Sequence, residues 1–228
     1  MKPLRVALLG DGMTEKWGAG CPELVAELKR LFHRTEFEIE NHGVANTRAG
    51  YALYRMARDY KGNDGLYRAC LSFNNPDIVV IESFAYSNCT DDAEGLTEYR
   101  DILRRLWEEL SSTTAAKLLF FITVPPDRDR FVENMSAYAN TSKATRRRLA
   151  DRAKLYLEEA QRIAQDEGWP VANAYAEVLK KVEGGDRLAR YINQSDNMHP
   201  SVYGFETVAR ILARAVDTHR MVEEGAIH

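Results

Sequence analysis

Arg5-Val6-Ala7-Leu8-Leu9-Gly10-Asp11-Gly12-Met13-Thr14 decides the class of the fold. Its first half is an aliphatic run that stops at Gly10. Strands covered on both faces carry such near-continuous apolar runs, so Arg5–Leu9 reads as a buried parallel strand and Gly10–Thr14 as the tight turn after it. Asp77–Ile81 (D-I-V-V-I) is the clearest further strand, Phe37–Ile39 and Trp169–Ala172 are short ones, and Lys117–Val124 is another, closed by Pro125-Pro126. Between these runs the apolar spacing changes to that of helices. Pro22–Phe32 carries Leu24, Val25, Leu28, Leu31 and Phe32 on one stripe, and Lys143–Glu167 carries Leu149, Ala153, Tyr156, Ala160 and Ile163. Further helices are expected over 51–60, 66–73, 96–110, 176–182 and 205–216. Strands alternating with helices predict one three-layer α/β/α domain over 1–228, with a five-stranded parallel sheet. In such sheets sites form at the carboxyl ends of the strands.

Composition narrows the function classes. The 228 residues carry a net charge of −3, and 45% are hydrophobic and 29% charged. Nothing here suggests a bulk electrostatic grip on nucleic acid or an anionic membrane. The basic opening of the long helix, Lys143 to Arg148, reads as a solvated face. The three cysteines, Cys21, Cys70 and Cys89, are neither a disulfide framework nor a zinc pattern. His33, His42, His219 and His228 lack metal-ligand spacing, so no metal or cofactor is expected. The apolar run behind Met1-Lys2-Pro3 is too short for a signal peptide, and no run reaches membrane-spanning length, which points to a cytoplasmic protein without a membrane partner. Oligomeric state is left open.

The chemistry concentrates near the C-terminus, in Asp196-Asn197-Met198-His199-Pro200. An Asp three residues before a His, on a short turn, can bring its carboxylate to one ring nitrogen and leave the other free as a base. The same residues also suit a helix start, with Pro200 or Ser201 opening the helix and Asp196 as turn chemistry. The expected loops after strands one to four share a rim with this turn. They hold Trp17, Asn41-His42-Gly43-Val44, the aromatic-rich Glu82-Ser83-Phe84-Ala85-Tyr86-Ser87-Asn88, and a long polar segment, Asp127–Ser142, whose length suits a lid. Within that segment Arg128 and Arg130 are available to meet a carboxylate or phosphate.

Taken in order, these blocks resemble the SGNH hydrolase superfamily, the GDSL-type esterases, over nearly the whole chain. Gly10-Asp11-Gly12-Met13-Thr14 is similar to the family's Gly-Asp-Ser block, and Gly43 is similar to its second-block glycine. Asn88 is the best match to the oxyanion asparagine, and Asp196–Pro200 resembles the last block. The resemblance implies a flavodoxin-like SGNH hydrolase fold and hydrolysis of an acyl or acetyl ester of a small molecule or carbohydrate. It also implies a base His199 oriented by Asp196, and an oxyanion hole from the N–H groups of residue 12 and Gly43 with the Asn88 amide. Asp11, Trp17, Phe84, Tyr86 and Tyr138 are candidates for substrate contact.

Two positions depart from the family pattern. Gly12 stands where the family has its serine, and the third block reads Tyr86-Ser87-Asn88-Cys89 rather than Gly-x-Asn-Asp. Gly12 admits three readings: an engineered inactivation, a natural ligand-binding relative, or an enzyme in which His199 activates water directly. Thr14 and Ser83 are the nearby hydroxyls; Thr14 reads as a cap and Ser83 as a loop hydrogen-bonder. Outside the hydrolases, the alternatives are a nucleotide-binding domain, although no G-x-G-x-x-G or G-x-x-x-x-G-K-[ST] is present, or a pure interaction module.

Overall fold

A computed structural model describes residues 2–90 and 93–223. Five strands form one parallel sheet: β1 (Leu4–Gly10), β2 (Phe37–Gly43), β5 (Ile78–Glu82), β6 (Lys117–Ile122) and β7 (Val171–Asn173). Their order is β2-β1-β5-β6-β7, with every adjacent pair parallel. Counting only the strands of this sheet, that is 2-1-3-4-5, the flavodoxin-like order. Leu8, Leu9, Ile78 to Ile81 and Leu119 to Ile122 are all buried, as a sheet covered on both sides requires.

Helices cover both faces. On one side α2 (Pro22–Leu31) and α9 (Val202–Thr218) pack together with Val6, Leu8 and Val80. On the other, α3 (Ala49–Ala57), α6 (Ala93–Thr113) and α7 (Lys143–Asp166) close over Ala7, Leu9 and Val79. The stripe foreseen for α7 is buried at Ala153, Tyr156, Ala160 and Ile163, whereas Leu149 is half-buried. Two short helices follow strands directly: α1 (Gly12–Glu15) after β1, and α5 (Ala85–Asn88) after β5. The helix α8 (Ala174–Glu183) follows β7.

One region differs from its sequence reading. The helix expected over 66–73 is instead a hairpin, β3 (Tyr60–Lys61) with β4 (Tyr67–Arg68), followed by a single helical turn, α4 (Leu71–Asn74). The turn chemistry of Gly62-Asn63-Asp64-Gly65 overrides the apolar spacing. The Gly62 N–H donates to the Leu66 carbonyl at 2.9 Å, Gly65 adopts φ +80°, and Asp64 accepts from the Leu66 N–H at 3.0 Å.

The strand ends that carry the site are tied together from below. Arg55, fully buried on α3, donates from Nη2 to the Gly10 carbonyl at 3.1 Å and from Nη1 to the His42 carbonyl. Burial lowers its pKa to about 10, so the guanidinium stays charged at neutral pH. It lies 5.4 Å from the Tyr51 ring centre and 5.7 Å from that of Tyr60. The Val44 N–H also reaches the Gly10 carbonyl at 3.1 Å, so one peptide oxygen joins β1, the loop after β2, and α3.

Gly43 ends β2 against α1. A Cβ there would lie 2.2 Å from the Glu15 nitrogen and 2.7 Å from the Thr14 carbonyl carbon, both backbone atoms that cannot swing away. Gly43→Ala is therefore expected to lower the unfolding free energy by about 2 kcal/mol or more through overpacking, measured as a fall in the urea midpoint at unchanged slope.

Candidate active site

The loops after β1, β2 and β5 meet the Asp196–Pro200 turn around a cavity of about 590 Å³. Asp11, Gly12, Asn46, Tyr86, Ser87 and His199 are among its lining residues. It lies between β1 and β5, the switch point at which ligands bind in sheets of this order.

The turn that presents His199 is built by its own side chains. Asp196 Oδ1 accepts from the N–H groups of Met198 and His199, at 2.9 and 3.0 Å, and Oδ2 lies 2.9 Å from His199 Nδ1. Both readings of Asp196 hold together: it shapes the turn with one oxygen and orients the imidazole with the other. With the proton on Nδ1 donated to Asp196, Nε2 carries the free lone pair. Ser201 caps α9 by accepting from the Gly204 N–H at 3.0 Å.

Nε2 faces Gly12. A Cβ built on Gly12 would sit 3.2 Å from Nε2 and 3.3 Å from the Ala45 Cβ. Gly12 is not among the glycines with positive φ, so its backbone accepts an L side chain. A serine there needs a few tenths of an ångström of give, and its hydroxyl would lie beside the ring nitrogen. Neither Thr14 nor Ser83 takes that place. Both are buried, neither lines the cavity, and Ser83 Oγ donates to Glu82 Oε1 at 2.8 Å. The cap of the first helical turn is Asp11, not Thr14.

Beneath Gly12 lies a pair of buried carboxyls. Asp11 Oδ1 accepts from the Met13 N–H at 2.9 Å, and Oδ2 accepts from Ser87 Oγ at 2.5 Å. Glu82 stands next to it, fully buried. Burial, then the Asp11 charge, hold its carboxyl well above the usual range. Glu82 therefore favours its protonated form. No sequence signal announced this pair, because Glu82 looks like an ordinary strand terminus.

Four candidates from the sequence fall elsewhere. Gly43 does not face the cavity, and its N–H donates to Asn41 Oδ1 at 2.8 Å. It is a packing glycine, not an oxyanion donor. Asn46, in the left-handed region at φ +60°, stands on the cavity at the end of the same loop. Asn88 turns its amide to the Phe84 carbonyl at 2.9 Å and lines a separate cleft beside α6. Tyr86 and Ser87 occupy the cavity side of that loop instead. Phe84 is fully buried in the core, at φ +55°, and Trp17 is buried with its ring stacked on Phe205 at 5.4 Å and Nε1 bonded to Glu23. Neither touches the cavity. Asp11, Tyr86 and Tyr138 do line it.

The remaining groups have local partners. Arg128 pairs with Asp151, and Arg130 lies 3.7 Å from Glu133. His42 is bonded to Tyr60 at Nδ1 and Glu40 at Nε2, at 2.9 and 3.2 Å. Among the described residues no group of three His, Cys, Asp or Glu is placed to hold a metal, and no helix is long and apolar enough to cross a membrane. His228 lies outside the described residues.

With this geometry in hand, solved structures give the fold its relatives. A lipase/acylhydrolase from Enterococcus faecalis matches 95% of this chain and 96% of its own, at a TM-score of 0.63 and 19% identity. An acetylxylan esterase from Geobacillus stearothermophilus matches at 0.63 and 17%, over 93% and 94% of the two chains. A putative lipolytic protein of the G-D-S-L family from Desulfitobacterium hafniense matches at 0.62 and 15%, over 92% and 98%. The chain has their fold. No protein-family model and no curated protein sequence matches it.

The carboxyl pair makes a pH prediction. Below about pH 4.5 Glu82 is protonated folded and unfolded alike; above it, only the unfolded chain releases the proton. Glu82 thus lowers stability progressively as pH rises toward its folded pKa, with a limiting slope of about 1.4 kcal/mol per pH unit. Glu82→Gln removes that contribution. Urea unfolding of both proteins between pH 5 and 8 is expected to show the difference moving in favour of the Glu82→Gln variant as pH rises.

Proposed function

We propose that this chain is an SGNH-type ester hydrolase scaffold whose nucleophile position is empty, binding an acyl ester of a small molecule or carbohydrate and turning it over very slowly. The observation that carries this reading is the Nε2 of His199, bonded through Nδ1 to Asp196 and 3.2 Å from where a Cβ on Gly12 would sit. A carboxylate–imidazole pair aimed at a cavity is costly to arrange for binding alone, and acyl transfer uses it at every step. The esterases and lipases that share the fold support the same chemistry.

Without a hydroxyl on residue 12 there is no acyl-enzyme. In serine hydrolases the loss of that group costs on the order of a million-fold in kcat. A second reading uses the same residues: His199 lines the cavity beside Gly12, and it would deprotonate a water there for a single displacement. The nucleotide-binding alternative has less behind it, because the acidic Asp11 lies at the bottom of the cavity where a phosphate would have to sit.

The test is turnover of p-nitrophenyl esters by the native chain and by Gly12→Ser. The Gly12→Ser variant is expected to gain at least about 1000-fold, a fraction of what a serine nucleophile contributes, and to show a burst with an acyl adduct on residue 12. A folded but inert variant would refute the hydrolase reading. Residual turnover by the native chain that vanishes in His199→Ala would identify the water route. In the Gly12→Ser background, Asn88→Ala is expected to change kcat less than about threefold, against the roughly 100- to 1000-fold loss typical of an oxyanion donor.

A further inference from the structure

The cavity has two kinds of wall. Glu15, Lys16, Asn46 and Arg48, from α1 and the loop after β2, form the polar one. Glu15 and Lys16 also line a neighbouring trough of about 850 Å³ along the free edge of β2, whose other lining residues include Glu40, Asn63, Asp64 and Arg68. The polar end of the site thus continues into a second polar space.

The other wall comes from the segment 127–142 and the catalytic turn: Met135, Ala137 and Tyr138 with Met198, alongside Tyr86. This wall is built, not incidental. Phe131, Val132, Ala150 and Ala153 form a small core of their own, against which Tyr86, Met135, Tyr138 and Met198 pack. Val132 is held at φ +50°, costly for a β-branched residue, and its N–H reaches the Asn197 carbonyl at 3.2 Å. Asn134 Nδ2 donates to the Gln194 carbonyl at 2.7 Å. Two bonds therefore fasten the segment to the residues that present His199. The Tyr86 hydroxyl is bonded to the Val124 carbonyl at 3.0 Å, so what it offers the cavity is its ring.

Resting on the ester-hydrolase reading, we propose that this wall receives the acyl chain, and that the site takes acyl groups of about four to eight carbons in preference to acetyl. The alcohol half of the ester then points along Glu15 and Lys16 toward the polar trough. Two methionines suit an acyl subsite, since unbranched thioethers reshape around chains of different length. Each methylene buried against the wall is expected to contribute about a three- to fourfold gain.

The experiment compares p-nitrophenyl acetate, butanoate, hexanoate and octanoate as substrates of Gly12→Ser. The proposal expects kcat/KM to rise about three- to fourfold per methylene up to hexanoate. It also expects Ala137→Trp, in the same background, to lower the hexanoate-to-acetate ratio at least about tenfold, the worth of two methylenes. A flat or falling profile in an active Gly12→Ser variant overturns the acyl wall and leaves the hydrolase reading standing. No turnover of any ester by a folded variant removes both. A second measurement does not depend on the substitution: calorimetric titration of the native chain with the matching, non-labile p-nitroanilides. Affinity rising with chain length supports the wall, and equal affinities for the acetyl and hexanoyl anilides overturn it.

Discussion

Two buried carboxyls, Asp11 and Glu82, stand where the two central strands of the sheet let go of the chain. Burial, then the neighbouring Asp11, hold the Glu82 carboxyl well above the usual range. That single constraint organises the floor of the cavity. Asp11 collects the Met13 N–H and the Ser87 hydroxyl. One contact starts the helical turn that contains Gly12, and the other pins the loop after β5 to the loop after β1. Arg55 does the complementary work one layer below, gathering the carbonyls of Gly10 and His42. Position 12 is therefore defined by a closed set of internal bonds that never involve its own side chain. This explains how the site keeps its form around a glycine.

The parts that were legible in sequence are those set by local pattern. Short β-branched and apolar segments mark the strands, and all five strands lie where the sequence reading placed them. Asp196 and His199 are three residues apart, so the turn that joins them is itself local. What escaped was decided by backbone direction at single residues. Gly43 matched a motif by type, yet the left-handed residue that reaches the cavity is Asn46, a non-glycine able to adopt that conformation. Asn88 matched as an amide, but Phe84 at φ +55° turns the short helix so that Tyr86 and Ser87 face inward and Asn88 outward. Two residues along a helix is more than half a turn, enough to exchange the two sides. Trp17 and Phe84, rim aromatics in sequence, are core residues, because the apolar area of a large ring outweighs the polarity of the loop that carries it.

The 66–73 segment shows the same competition at a smaller scale. Its apolar spacing suits a helix, but Gly62 and Gly65 bracket a turn stabilised by Asp64, and a tight turn with its own hydrogen bonds outweighs a short amphipathic pattern. The hairpin that results places Asn63 on the polar trough beside β2.

Two contributions separate at this site in the proposed reading. In the proposed reading, recognition of the ester rests on the Met135–Tyr138 wall and on Glu15 and Lys16, side chains outside position 12. Covalent catalysis depends on one hydroxyl held beside Nε2. In that reading a hydroxyl at residue 12 would act on kcat more than on binding. His199 is bonded to Asp196 and lines the cavity. Chemistry that starts from water would proceed in one displacement with no acyl-enzyme. Burst kinetics therefore separate a chain that has lost its mechanism from one that has exchanged it.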